Sequence, residues 1–247
     1  MDQLRVTELW RYPVKSMLGE RLDRTEVGRL GLNGDRAWSL VDLTTGFNLT
    51  ARREPSLLTA SARLAGPTVD DGVVITLPDG TTTADDRVLS SWIGRPVELR
   101  AAAPDEAGTY ETPLDETEIG SWVQWNGPPG SFHDSTRTMV SLASTTTIGR
   151  WDRRRFRLNV ILDGAGEDDL VGRTLHIGDV TLTVTKPIDR CVMVTRPQPA
   201  VGPEPALERD LSVLQTINRE RQQLLGIAAL VDSGGSISVG DPVRSQL

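Results

Sequence analysis

Apolar residues in this chain recur at every second position far more often than at helical spacing, and that period limits the folds open to it. Residues 4–10 alternate in this way, and residues 37–42, 73–77 and 97–100 repeat the pattern. A period of two puts successive side chains on opposite faces of a sheet, so these segments are predicted as strands. Gly28, Asn33-Gly34, Thr45-Gly46, Asp71-Gly72 and Asp79-Gly80 separate them as turn signals. Short strands at such intervals suit a β-barrel or a curled sheet.

The second half carries the same signal. Residues 157–162, 174–177 and 180–184 read as strands, and Gly178-Asp179 predicts a hairpin between the last two. Residues 227–231 and 236–239 read as a final strand pair around Gly234-Gly235. Helices are few. Residues 85–92 suit one short helix, closed by Gly94 and Pro96. Leu207, Leu211, Leu214, Ile217, Arg221 and Leu225 recur at three- and four-residue steps and predict a second, with Gly226 as its stop. Residues 104–118 are acidic and poor in apolar side chains and read as a linker. The expected organisation is an N-terminal domain over 1–103, a linker over 104–118 and a second domain over 119–247. The fold class is α+β, dominated by strands.

Charge and cysteine content exclude several functions. Lys and Arg total 27 against 34 Asp and Glu, a formal net charge of −7, which disfavours binding to nucleic acid or to anionic membranes. One cysteine, Cys191, and two histidines, His133 and His176, leave no internal disulfide and no structural cysteine zinc site. Neither an iron–sulfur cluster nor a multi-histidine centre can be built from them. The start, Met1-Asp2-Gln3, has neither a basic nor an apolar signal region, and the longest apolar stretch, 224–231, is too short for a bilayer. The expectation is a cytoplasmic protein.

The candidate chemistry centres on Cys191, in Lys186-Pro187-Ile188-Asp189-Arg190-Cys191. A lone cysteine is most often a small buried hydrophobe. Here Pro187 breaks the preceding strand, and Arg190 and Lys186 are cations that favour a thiolate when close. A thiolate serves as nucleophile or soft metal ligand. With no histidine cluster, a metal bound here has to bring most of its own ligands, which points to a cofactor that carries its own chelate. Three further clusters suit an anionic, hydrogen-bonding ligand. Lys15 and Ser16 follow a strand end in Tyr12-Pro13-Val14-Lys15-Ser16. Asp35 and Arg36 follow the turn in Gly31-Leu32-Asn33-Gly34-Asp35-Arg36. Arg157 and Asn159 end the arginine-rich run 150–159, where they are expected on one face of a strand, with Ser141 and Ser144 as upstream hydroxyls. The bland alternatives are a solvated lysine, a turn ion pair and a solvated charge run. Neither phosphate-loop nor dinucleotide glycine pattern is present.

These pieces, in this order, resemble the MOSC superfamily, named for the C-terminal domain of molybdenum cofactor sulfurases. Tyr12-Pro13-Val14-Lys15-Ser16, Gly31-Leu32-Asn33-Gly34-Asp35-Arg36 and Trp92-Ile93-Gly94-Arg95-Pro96-Val97 are similar to its N-terminal β-barrel domain. Arg155-Phe156-Arg157-Leu158-Asn159, Ile177-Gly178, Arg190-Cys191 and Val239-Gly240-Asp241-Pro242-Val243 are similar to the MOSC domain proper. Leu158 stands where the family usually has proline. The resemblance implies a MOSC-type barrel core interlocked with an N-terminal barrel, with a few peripheral helices. It implies a molybdenum cofactor, a molybdopterin dithiolene carrying Mo and a phosphate. Cys191 would be the protein ligand to the metal. Lys15, Ser16 and Arg36 would hold the anionic end, and Arg157, Asn159, Ser144 and Arg190 would complete the binding set. Asp189, beside the ligand, is a candidate proton relay, with a plain turn aspartate as the alternative.

The function implied is that of the amidoxime-reducing type: an oxidoreductase that reduces N-hydroxylated small molecules and releases the oxygen as water. The chain holds neither a pyridoxal-phosphate sulfurase domain nor the cysteines of a ferredoxin module, so electrons are expected from an external ferredoxin- or flavoprotein-type donor. A carrier that holds the cofactor without turnover would use the same residues. A lapsed site acting only through protein contacts is the third alternative.

Overall fold

The computed structural model describes residues 4–113 and 122–246, and strands dominate it. In chain order the first strands are β1 (Val6–Arg11), β2 (Glu20–Leu22), β3 (Arg24–Gly28), β4 (Gly31–Leu32) and β5 (Trp38–Asp42). Then come β6 (Ser61–Leu64), β7 (Val73–Thr76), β8 (Thr82–Thr83), helix α1 (Asp86–Ile93), β9 (Val97–Ala101), β10 (Ala107–Pro113) and β11 (Trp122–Pro129). The remainder comprises β12 (Val140–Ser144), α2 (Thr145–Ile148), β13 (Val160–Leu162), β14 (Thr174–Ile177), β15 (Val180–Asp189), α3 (Leu211–Arg221), β16 (Leu224–Ser233), β17 (Gly235–Ser238) and β18 (Val243–Gln246). The strand-dominated α+β class expected from alternation is the class observed.

The contacts form two compact units. The first comprises residues 1–11, 21–33 and 137–247, and the second residues 12–20 and 34–136. This partition differs from a simple division into 1–103 and 119–247. The reason lies in strand pairing: β1 pairs with β13, and β3 pairs with β17, so N-terminal strands complete the C-terminal sheets.

In the first unit, eight strands form one curled sheet in the order β18-β14-β15-β16-β12-β13-β1-β2. The pairing of β12 with β13 is parallel, whereas those of β14, β15 and β16 with their neighbours are antiparallel. Leu9, Leu142, Val160, Leu162, Leu175 and Ile227 point into its core and are fully buried. The hairpin at Gly178-Asp179 forms as expected, with Ile177 opposite Val180. The expected pairing of 227–231 with 236–239 does not form. β16 lies between β12 and β15, whereas β17 turns away and pairs with β3 from Gly235↔Val27 to Ser238↔Arg24. Gly234 makes the departure possible, because a Cβ there would stand 2.6 Å from the carbonyl of Val27.

Helix α3 is shorter than the apolar stripe suggested. Asp210 caps it by accepting from Ser212 N, and Gln222 ends it in the left-handed region at φ 53. Val213 and Ile217 are its buried residues, and Leu211 is 50% exposed. Leu207 pairs with Gln198 outside the helix and Leu225 lies in β16, so the stripe was assembled from three different segments. Gly226 is no helix stop. It sits inside β16 at φ 81, where a Cβ would be 2.7 Å from the carbonyl of Leu142, and lets that strand approach β12.

The second unit packs β5-β9 and β6-β7-β8 around Met17, Leu40, Leu57, Ile75 and Leu89, and carries β10-β11 as a separate two-stranded sheet. Helix α1 follows the sequence reading closely: Asp85 accepts from the backbones of Arg87 and Val88, and Gly94 closes it. The linker reading of 104–118 is corrected over its described part. Residues 107–113 are β10, paired with β11, with Tyr110 opposite Trp125. Tyr110 is fully buried and stacks on Trp125 at 4.3 Å, which anchors a strand whose other residues are small or polar. Residues 114–118 lie outside the described residues.

Candidate functional site

Each unit holds some of the candidate residues. In the first, the arginine run leads not into a strand but into a turn. Asp152 caps the 3-10 turn Arg153–Arg155 by accepting from Arg154 N. The strand begins only at Val160. Between them Arg157 takes φ 52, so Arg157 and Asn159 do not share a strand face. The turn forms because the arginines find nearby oxygens. Arg153 bridges Glu8 and Glu204 and lies over the Trp10 ring at 4.9 Å. Arg154 grips both carboxylate oxygens of Asp152. That contact holds Asp152 below the usual carboxylate range: burial opposes ionisation, and the Arg154 hydrogen bonds and charge overcome it.

Asn159 is 2% exposed and joins three strands. Its Oδ1 accepts from Ser141 N at 3.1 Å and Ser141 Oγ at 2.8 Å, and its Nδ2 donates to Trp10 O at 3.2 Å. These bonds hold β1, β12 and β13 in register and fix the exit from the Arg157 turn. Ser144 is fully buried and caps α2 by accepting from Thr147 N at 3.2 Å.

Cys191 follows the end of β15 and caps the turn Val192–Thr195; its side chain is half-buried. Arg190 is 8% exposed. Its Nε donates to Leu225 O at 2.8 Å and its Nη1 to Phe156 O at 3.0 Å, with the guanidinium over the Phe156 ring. Gln223 O accepts from Arg190 N, and Gln223 Nε2 donates to Arg190 O. The residue before the thiol is thus clamped through backbone and side chain. Asp189 is 70% exposed at its side chain and meets Lys186 at 3.5 Å.

In the second unit, residues 12–16 run beside 36–38: Arg36 N donates to Tyr12 O, Trp38 N to Pro13 O and Lys15 N to Trp38 O. Lys15, Ser16 and Arg36 are therefore brought together. Lys15 is 5% exposed. Its Nζ donates to Phe132 O at 2.8 Å and Asp134 Oδ1 at 2.7 Å, above the Tyr110 ring at 4.3 Å. Lys15, with Arg36 and His133, holds the Asp134 carboxyl below the usual range. Burial, and then the Asp134 charge, push the Tyr110 phenol far up, so it stays neutral. Ser16 sits at φ 70, its Oγ accepting from Ala51 N, and Arg36 at φ 50, pairing with Asp35 over the Tyr12 ring.

Tyr110, Trp125 and Asp134 escape a reading of the sequence. The only local signal was an aromatic side chain in an acidic, otherwise featureless stretch. Among the described residues no three His, Cys, Asp or Glu side chains converge on a common point that could hold a bare ion. No helix there is long and apolar enough to cross a membrane.

Comparison with known families gives two matches: the MOSC N-terminal beta barrel domain over residues 3–98 and the MOSC domain over residues 133–244. The chain is 28% identical to mitochondrial amidoxime reducing component 2 of Bos taurus, over 96% of this chain and 82% of that protein. It is 25% identical to mitochondrial amidoxime-reducing component 1 of Homo sapiens, with the same coverage. It is 27% identical to the molybdenum cofactor sulfurase of Drosophila willistoni, over 87% of this chain but 29% of that protein.

Proposed function

The chain belongs to the MOSC family, and on that premise we propose that it binds a molybdenum cofactor and uses it to reduce N-hydroxylated small molecules. Electrons come from a separate donor protein. The amidoxime-reducing names of its relatives support the reaction class, and the cofactor sulfurase supports the cofactor.

One observation carries the cofactor reading. Ser16, Arg36 and Arg157, assigned to the cofactor by motif alone, are three of the five non-glycine residues with positive φ among those described. The other two, Gln222 and Gln223, end helix α3. A left-handed conformation costs a non-glycine residue about 1–2 kcal/mol, and such strain concentrates where a side chain has to be aimed. The donor set agrees: one half-buried thiol, no cluster of further metal-ligating side chains among the described residues, and cationic or hydroxyl groups elsewhere. Such a set fits a metal that arrives with its own chelate and an anionic tail.

When bound, the cofactor supplies two-electron oxygen-atom chemistry at its metal. The overall conversion consumes two electrons and two protons and releases water. In this proposal Cys191 binds the metal, and the Arg190 clamp sets the position of the thiol. Arg157, Ser16 and Arg36 bind the anionic and pterin groups. Lys15 and Asn159 act from behind, holding Ser16 and Arg157 in their strained conformations. Asp189 faces Lys186 and Ser144 is spent as a cap, so neither is given a role.

The test is reduction of benzamidoxime by cofactor-loaded protein with an artificial electron donor. Turnover that depends on Arg157 and Cys191 supports the reductase. Stoichiometric molybdenum without turnover on any N-hydroxylated substrate would replace the reductase by a carrier.

A further inference from the structure

The arginine run, too basic for this acidic chain, has a use that neither the motif nor the family match assigns. Residues 192–208 make a long excursion after Cys191. Their own backbone bonds are few: a reciprocal pair between Gln198 and Leu207, another between Val201 and Glu204, and the turn at Val192–Thr195. The arginine turn adds side-chain bonds. Arg153 Nη2 holds Glu204. Arg154 donates to Pro199 O and Pro205 O, both at 2.9 Å. Arg155 donates to Val194 O at 3.4 Å, Arg196 O at 3.1 Å and Glu208 O at 2.8 Å.

Arg155 is the member that bears on the thiol. It is 9% exposed, so its three carbonyl partners have little water to replace it. One of them, Val194 O, belongs to the residue whose N–H donates to Cys191 O at 3.2 Å. The next residue, Phe156, accepts Arg190 Nη1 through its carbonyl. Two consecutive residues therefore grip the chain on both sides of Cys191. The residue after them is Arg157, held at φ 52.

We propose that Arg155 is a positioning residue for Cys191, fixing the Val192–Thr195 turn through the carbonyls of Val194 and Arg196. Only the use to which the thiol is put rests on the cofactor reading; the positioning stands without it. A guanidinium suits this task, because its fixed fork reaches several oxygens at once, whereas an ammonium is a single point donor.

The test uses the cofactor-free full chain, in which Cys191 is the sole thiol. Arg155→Met, Arg155→Lys and a control, Arg219→Met, are treated with excess Ellman's reagent under conditions where melting curves show each folded. Arg219 is an exposed arginine on α3, paired with its neighbour Glu220. Loosening the turn speeds thiol modification in Arg155→Met at least about fivefold, with Arg155→Lys between it and wild type and the control unchanged. Should Arg155→Met not fold, Arg155→Lys and wild type decide the matter. A lower melting temperature with thiol rates within about twofold of wild type overturns the proposal, since that is a purely structural arginine. Molybdenum content, measured in parallel, separates the two claims. Altered thiol rates in a chain that never takes up molybdenum would remove the cofactor reading and leave the positioning role intact.

Discussion

Replacing Lys15 with methionine distinguishes a lysine that waits for an anion from one that is already part of the fold. Methionine keeps the apolar stem and removes the ammonium. The interactions lost include the bonds to Phe132 O and Asp134, and the approach to the Tyr110 ring at 4.3 Å. A charge-assisted bond to a buried carbonyl is worth about 1.5–3 kcal/mol, and a desolvated cation–π contact about 1–2 kcal/mol. The Asp134 partner is 84% exposed at its side chain, so that pair adds at most about 1 kcal/mol. Relief from burying the ammonium offsets part of the sum, leaving a loss of about 2–4 kcal/mol. In a chain of this size that lowers the melting temperature by about 4–16 °C. The assay is thermal melting of cofactor-free wild type and Lys15→Met, followed by circular dichroism and tryptophan fluorescence. A variant that melts at or above the wild-type temperature would refute the reasoning, because removing an idle buried cation stabilises a protein.

Tyr110→Phe keeps the stack on Trp125 and deletes a buried hydroxyl that finds no hydrogen-bond partner among the described residues. It is expected to leave stability unchanged or raise it by up to about 1 kcal/mol, and a urea midpoint well below wild type would contradict this. The folded-state carboxyls of Asp134 and Asp152 lie below their ordinary value of 3.8, so their stabilisation is complete above that pH and is lost as pH falls through the lower, folded values. Urea midpoints are therefore expected to fall below about pH 4. Asp152→Asn, which leaves Arg154 buried beside a neutral partner, is expected to cost about 1–3 kcal/mol at pH 7 and to flatten that acid limb. An unchanged limb would remove Asp152 from the account of acid stability.

What the sequence made legible was local. The helix from Asp85 to Gly94 carries its cap and stop within a few residues, and the hairpin at Gly178-Asp179 needs only its turn and flanking alternation. What stayed hidden depends on partners far along the chain. Lys15 meets Phe132 and Asp134 across more than a hundred residues. Arg154 and Arg155 bind backbone carbonyls of residues 194–208, and a carbonyl has no signature in a sequence. Residues 227–231 and 236–239 looked like mutual partners because they are adjacent, but β12, β15 and β3 compete for them and win. The candidate site residues came from motif alone. Burial and hydrogen bonding add which of them are already engaged within the fold, as Asn159 illustrates: its amide is spent on Ser141 and Trp10.

The cofactor assignment meets its most direct test in metal analysis. Wild type and Cys191→Ser would be purified from a host that makes the cofactor, and molybdenum measured by mass spectrometry beside pterin fluorescence. Near-stoichiometric molybdenum and pterin in wild type, with molybdenum largely lost from a folded Cys191→Ser, is the expected result. Equal molybdenum in both proteins would contradict the ligand role of Cys191, and neither molybdenum nor pterin in wild type, even after reconstitution, would contradict the cofactor itself.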